Sequence, residues 1–182
     1  MGKAEDILRF WFGEAPGPAR KAWFEKNPDF DAEIASRFMA DCEAAEGGGF
    51  SEWTKAPRTA LALIVLCDQF PRNMFRGSSR AFATDPVALA VARDVVDSGW
   101  DRAMLAVERM FAYLPFEHSE SPADQVLSCE LMKPLGEDPY RYAVRHKEII
   151  DRFGRFPHRN AILGRESSAG EVAFLKEPGS RF

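Results

Sequence analysis

The sequence predicts an all-α fold in a single domain spanning residues 1–182, and three observations predict it. Helix-opening pairs recur at Asp85-Pro86, Ser121-Pro122 and Asp138-Pro139, where a proline in the first turn gives up an amide that has no partner there anyway. Apolar residues after these openings fall at helical spacing, and no sustained alternating run bounded by turn residues suggests a sheet. The length of 182 residues suffices for one sizeable core and favours one domain over two. About eight to ten helices joined by short loops follow from this pattern.

Ala4 to Phe12 reads as a short amphipathic helix with Ile7, Leu8, Phe10, Trp11 and Phe12 as its bulky apolar end, stopped by Gly13, Pro16, Gly17 and Pro18. A second short segment carries Trp23 and Phe24. Asp31, with Phe30 before it, is the expected N-cap of the next helix, whose Ile34, Phe38 and Met39 lead to the turn Gly47-Gly48-Gly49. Pro57 opens a helix that is apolar on all faces from Ala60 to Cys67, as a rod buried on every side must be. It runs through Asp68 and Gln69, and Pro71 is expected to break it by removing a backbone donor. Thr84-Asp85-Pro86 starts a helix carrying Val87, Leu89, Val91, Val95 and Val96 to Gly99, and Asp101 begins another that leads to Pro115. Ser121-Pro122-Ala123-Asp124 caps a helix ending near Gly136, and Asp138-Pro139 opens one reaching Phe153-Gly154. Ser168 with Glu171 forms a capping box for the last helix. The aromatic residues Phe10, Trp11, Phe12, Trp23, Phe24 and Trp53 are assigned to the core.

Composition narrows the function. The chain is 46% hydrophobic and 29% charged, near the values for a soluble globular domain, and its net charge of −4 argues against general nucleic-acid binding. Cys42, Cys67 and Cys129 stand singly with no C-x-x-C spacing, which predicts reduced thiols rather than a zinc knuckle or a disulfide framework. No apolar run has the length of a membrane span and no leader pattern opens the chain, so a soluble cytoplasmic protein is expected.

Three segments concentrate the chemically capable side chains: Asp68 to Arg76, Pro115 to Glu120, and Arg155 to Asn160. Arg72, Asn73, Arg76, Arg155, His158, Arg159 and Asn160 are candidates for binding an anionic small molecule or an acidic peptide terminus, since guanidinium forks suit carboxylate and phosphate. His118 with Glu117 or Glu120 is the candidate acid–base group of an alternative, hydrolase-type reading, with or without a metal. No H-x-x-x-H or H-E-x-x-H pair is present and no metal ligands are assigned; His146, in line with Tyr142, Ile149, Ile150 and Phe153, is placed in the core. Asp68 and Gln69, on the buried helix, are assigned to structure, and Arg72, Asn73 and Arg76 to function. A third reading makes the whole set a buried polar network of a structural or interaction domain. The sequence carries no G-x-S-x-G, P-loop or dinucleotide fingerprint and leaves enzyme activity, cofactor and oligomeric state open.

Five motifs in order, Leu8-Arg9-Phe10-Trp11-Phe12-Gly13, Asp68-Gln69-Phe70-Pro71-Arg72-Asn73, Ala81-Phe82-Ala83-Thr84-Asp85, Leu114 to Glu120 and Phe153 to Asn160, resemble the bacterial family called domain of unknown function 924. The likeness runs from Ile7 to about Phe182. It implies a fold of the tetratricopeptide-repeat-like class, with helices in antiparallel pairs, and it implies no activity. The usual tetratricopeptide pattern of Trp, Leu-Gly, Tyr and Pro at a regular period is absent.

Overall fold

Nine α-helical segments run through the residues that the computed structural model describes, 2–14, 20–23 and 25–180. They are α1 (Lys3–Phe12), α2 (Pro28–Glu46), α3 (Pro57–Ile64), α4 (Phe70–Met74), α5 (Asp85–Asp97), α6 (Ala106–His118), α7 (Pro122–Met132), α8 (Glu137–Phe153) and α9 (Ala169–Phe174). No strand occurs among the described residues. Pro57, Asp85-Pro86, Pro122 and the Ser168–Glu171 capping box open their helices as local chemistry dictates. α8 stops at Gly154, whose left-handed backbone (φ 68°) turns its amide onto the Ile150 carbonyl at 2.7 Å. The expected terminators Pro16, Gly17 and Pro18, and Phe24, lie outside the described residues.

Other boundaries differ from expectation. α2 begins at Pro28, before Asp31, because the Asn27 side chain already accepts the amides of Asp29 and Phe30. Asp101 does not begin a helix; it sits in the short turn Trp100–Ala103, where its carboxylate accepts the buried Tyr113 hydroxyl at 2.5 Å. Neither Pro115 nor Pro71 ends its helix. α6 continues through Pro115 to His118, and Gln125 on α7 caps its end by donating from Nε2 to the carbonyls of Glu117 (2.7 Å) and Ser119 (2.6 Å).

Pro71 is accommodated by one wide turn. α3 and α4 are joined without interruption through a π turn, Val65–Gln69, in which the Phe70 amide donates to the Val65 carbonyl. A proline in a helix has no amide for the carbonyl four residues back, here that of Cys67. Side chains supply donors along this turn: Thr84 Oγ1 to the Cys67 carbonyl (2.6 Å), Arg72 Nη1 to that of Asp68 (2.6 Å), and Asn73 Nδ2 to that of Gln69 (2.9 Å). The Cys42 thiol adds a weak contact to the Leu66 carbonyl at 3.5 Å. The rod therefore passes Pro71 and delivers Asp68 and Arg72, one turn apart, to the same place.

This rod is the centre of the all-α domain. From Ala60 to Cys67 no residue is more than 3% exposed, as the all-apolar run requires. α1, α5 and α6 pack on α3, α2 packs on α4, and α5 packs on α6, α6 on α7 and α7 on α8. Trp11 meets Phe70 and Phe111 edge-on at 5.7 and 5.5 Å, and Trp23 meets Phe111 at 4.8 Å, so most of the aromatic stripe is core; Trp53 is half-buried against Phe50. A smaller cluster of Ile149, Ile150 and Phe156, with Phe153 and Phe174, seats the loop after α8.

The Thr84 hydroxyl is the donor most specific to the Pro71 irregularity. Thr84→Val keeps the shape and strands the Cys67 carbonyl, which costs about 1–3 kcal/mol. At roughly 2–4 °C per kcal/mol for a chain of this size, thermal denaturation should fall by several degrees while helix content stays unchanged.

Candidate functional site

The ends of the α3–α4 rod, α6 and the loop following α8 converge. Asp68, 1% exposed on the π turn, faces His118 at the last position of α6: Asp68 Oδ1 lies 2.7 Å from His118 Nδ1 and 3.1 Å from Arg72 Nη1. Its other oxygen accepts Gln69 Nε2 at 2.5 Å. Burial alone would raise the Asp68 carboxyl, but the Arg72 and His118 beside it hold it well below the usual carboxylate range. Burial and Arg72 together hold His118 below its ordinary value, against the pull of Asp68. The imidazole is therefore neutral at neutral pH, and because Asp68 can only accept, the proton sits on Nδ1.

Arg72 is fully committed. It grips the Asp85 carboxylate bidentately at 2.8 and 2.9 Å, in addition to the Asp68 carbonyl. Asp85, at the start of α5, also lies 3.7 Å from Arg159 Nη1, so one carboxylate stands between two guanidinium groups.

Arg159 is the exception to an otherwise paired network. Its side chain is 8% exposed, and the guanidinium lies over the rings of Phe82 and Phe156, 4.7 and 4.6 Å from their centroids. It donates no hydrogen bond to any described residue, and its Nε is buried without a partner. Burial and the nearby Arg72 push it down to about 10, so it stays charged at neutral pH.

Beneath these groups lies a neutral pair. His146 Nδ1 is 2.9 Å from the Tyr142 carbonyl and 3.1 Å from Glu117 Oε1. Burial, with the charge of Asp68, pushes Glu117 up to about 8; burial pushes His146 down to about 3, against the Tyr142 carbonyl. Both are uncharged at neutral pH, and Nδ1 of His146 carries the proton given to Tyr142. The ring of His146 stands 6.3 Å from that of His118 and 5.6 Å from that of Phe156.

The remaining candidates from the sequence hold elements together. Arg76 reaches back to Asp31 on α2 (2.7 and 3.0 Å) and to the Asn73 side-chain oxygen (2.8 Å), while Asn73 caps the Gln69 carbonyl. Arg155 clasps Glu171 at 2.7 and 2.9 Å, and buried Asn160 donates to Glu171 and Ser167. Glu120 accepts the Phe156 amide (2.8 Å) and the Arg165 fork (2.7 and 2.9 Å), which ties the end of α6 to the loop after α8. Its carboxyl is held below its ordinary value by Arg165 and that amide, which outweigh burial. His158 lies against Phe156, with ring centroids 5.7 Å apart. Among the described residues no group of three or more His, Cys, Asp or Glu side chains has the arrangement of a metal site. Asp85 and Phe82 were missed as site residues; their motif, Ala81-Phe82-Ala83-Thr84-Asp85, reads locally only as a helix start. A cleft of about 240 Å³ on α8 and α9, lined by Arg145, Arg152, Phe153 and Phe174, shares no residue with the cluster.

The Glu117 pair sets a pH dependence. A carboxyl raised to about 8 in the fold, from an ordinary value near 4.5, binds its proton more tightly folded than unfolded. Its stabilising contribution is full below the unfolded value and is lost as pH rises through that window. Glu117→Gln mimics the neutral form, so its stability relative to wild type should increase from pH 5 to about pH 8, measured by urea denaturation at each pH. A flat difference across that range contradicts the neutral assignment.

The fold has a counterpart among solved structures. A solved structure of a protein of unknown function, ATU0120 from Agrobacterium tumefaciens, superposes with a TM-score of 0.89 at 41% identity, over 95% of this chain and 96% of that one. None of the curated proteins matches the chain. The model of the family described as "Bacterial protein of unknown function (DUF924)" matches residues 7–179, and the chain belongs to that family.

Proposed function

We propose that the cluster binds a small anion, a carboxylate or a phosphate, through the guanidinium of Arg159. The observation that carries this reading is a buried cation whose hydrogen-bond donors are unused, in a network where Arg72, Arg76, Arg155 and Arg165 are all bonded. A buried, underbonded charge is costly, and a ligand oxygen is the partner that a guanidinium fork fits.

Charge counting limits the strength of the interaction. Arg72 and Arg159 are balanced by Asp68 and Asp85, and the Glu117–His146 pair adds nothing, so no net positive field draws the ligand in. Its affinity comes from charge-assisted hydrogen bonds to Arg159, about 1.5–3 kcal/mol each. Two such bonds correspond to binding in the roughly millimolar range, that of a metabolite-level ligand.

A second reading is enzymatic, and the Asp68–His118 contact favours it. An imidazole fixed through Nδ1 by a buried carboxylate has its other nitrogen set for proton transfer, the arrangement of hydrolase-type sites. In that reading Asp68 orients the imidazole, while Glu117 and Glu120, expected as acid–base partners of His118, are engaged with His146 and Arg165. The setting proposed for both is a cytoplasmic protein with helices in tetratricopeptide-like pairs, which the successive packing of α5 to α8 supports.

Substitution at Arg159 separates binding from mere structure. Arg159→Met keeps the aliphatic packing but leaves Asp85 to Arg72 alone, so the unliganded variant should fold and melt somewhat below the wild-type temperature. Phosphate or a small carboxylate at about ten times its Kd should stabilise the wild type by about 1.4 kcal/mol, a shift of a few degrees, and leave the variant unmoved. A wild type indifferent to every anion assigns the cluster to structure.

A further inference from the structure

We infer that the anion taken at Arg159 carries a hydroxyl beside its charge, as hydrogen phosphate and 2-hydroxy carboxylates do, and that His118 Nε2 is the atom that recognises it. The inference rests on the anion-binding reading above and adds the ligand's donor group to it.

The geometry that carries it is the Asp68–His118 contact. A carboxylate cannot donate, so at 2.7 Å it holds the hydrogen on His118 Nδ1. Asp68 is itself fixed from both sides, by Gln69 Nε2 at 2.5 Å and Arg72 at 3.1 Å, and the wide π turn sets the backbone beneath it. The ring is therefore locked in one tautomer and one orientation. Nε2 is left as a lone pair with no hydrogen-bond partner among the described residues, on a side chain 16% exposed.

Arg159 and His118 border one cluster. They are linked through Asp85, Arg72 and Asp68 on one side. On the other, the rings of Phe156 and His146 bridge them in steps of 4.6, 5.6 and 6.3 Å. Arg72 is engaged by Asp85 and the Asp68 carbonyl and His146 by the Tyr142 carbonyl, and the Glu117 carboxyl lies against His146, 3.1 Å from its Nδ1. The site thus offers a fork of N–H donors at Arg159 and a lone-pair acceptor at His118. A ligand that accepts at every atom satisfies the first and sets an oxygen lone pair against the second. A ligand of the same shape with one O–H satisfies both.

Hydrogen phosphate and sulfate differ in just this respect, being tetrahedral and doubly charged alike. Lactate and propionate form a second matched pair. Isothermal titration of the whole chain at mildly alkaline pH should show phosphate binding about tenfold or more tighter than sulfate, and lactate tighter than propionate. His118→Phe should still bind both tetrahedral anions through Arg159 and bring them within about twofold of each other. Sulfate binding as tightly as phosphate to the wild type overturns the inference and leaves the anion site standing. Binding of neither overturns both. Should the variant not fold, side-chain nitrogen resonances of wild-type His118 decide: an unprotonated Nε2 that shifts on adding phosphate supports the inference, and a protonated Nε2 refutes it.

Discussion

Pro71 brings no amide hydrogen to the most deeply buried helix of the molecule, and the way the chain meets that deficit shapes everything around it. The turn widens to π geometry instead of breaking, and side chains from α2, α4 and the turn before α5 supply donors to its carbonyls. The cost of an unmade buried hydrogen bond is what makes this network obligatory. Its by-product is function-like geometry, because the widened turn swings Asp68 toward the end of α6 and Arg72 toward Asp85. π turns of this kind recur at functional sites for the same reason: they re-aim side chains that a regular helix would direct elsewhere.

Around that turn, burial is tolerated by removing charge or pairing it. Glu117 and His146 share a site as neutral groups, Asp68 lies against Arg72 and His118, Asp85 between Arg72 and Arg159, and Glu120 and Glu171 are held by Arg165 and Arg155. Gln125 closes the end of α6 by spending its amide on three carbonyls, which leaves His118 at a defined position. Arg159 differs from the other arginines of this network in making no hydrogen bond to the described residues: it lies over two aromatic rings, 3.7 Å from Asp85. Aromatic faces orient a guanidinium without using its N–H groups, which leaves those groups to the anion we propose.

What could be read from the sequence was what local chemistry decides. Pro57, Asp85-Pro86, Ser168 with Glu171 and Gly154 mark helix ends because caps act within a few residues, and the apolar run from Ala60 to Cys67 announces burial on all faces. The convergence of three polar segments was legible too, since dense polar groups beside buried helices need partners. Pro71 reads locally as a helix breaker because its rescue is tertiary, with Thr84 17 residues from Cys67, and the end of α6 is set beyond Pro115 by Gln125, which caps it from another helix. Asp68 was assigned to structure from its place on a buried helix, whereas its partner His118 stands 50 residues along the chain. Asn73, Arg76, Arg155 and Asn160 looked as capable as Arg159, and only the positions of Asp31 and Glu171 reveal that they are engaged. Whether an arginine is spent is a property of its neighbours, which no local pattern encodes.

The central claim is that Arg159 is a poised cation and His118 a fixed acceptor. A crystal structure of the protein grown with phosphate and without competing anions tests it most directly. A tetrahedral anion should lie within hydrogen-bond distance of the Arg159 Nη atoms, with one oxygen against His118 Nε2 and the Asp68–His118 contact unchanged. An Arg159 guanidinium bonded to protein carbonyls or carboxylates, with no anion beside it, would contradict it.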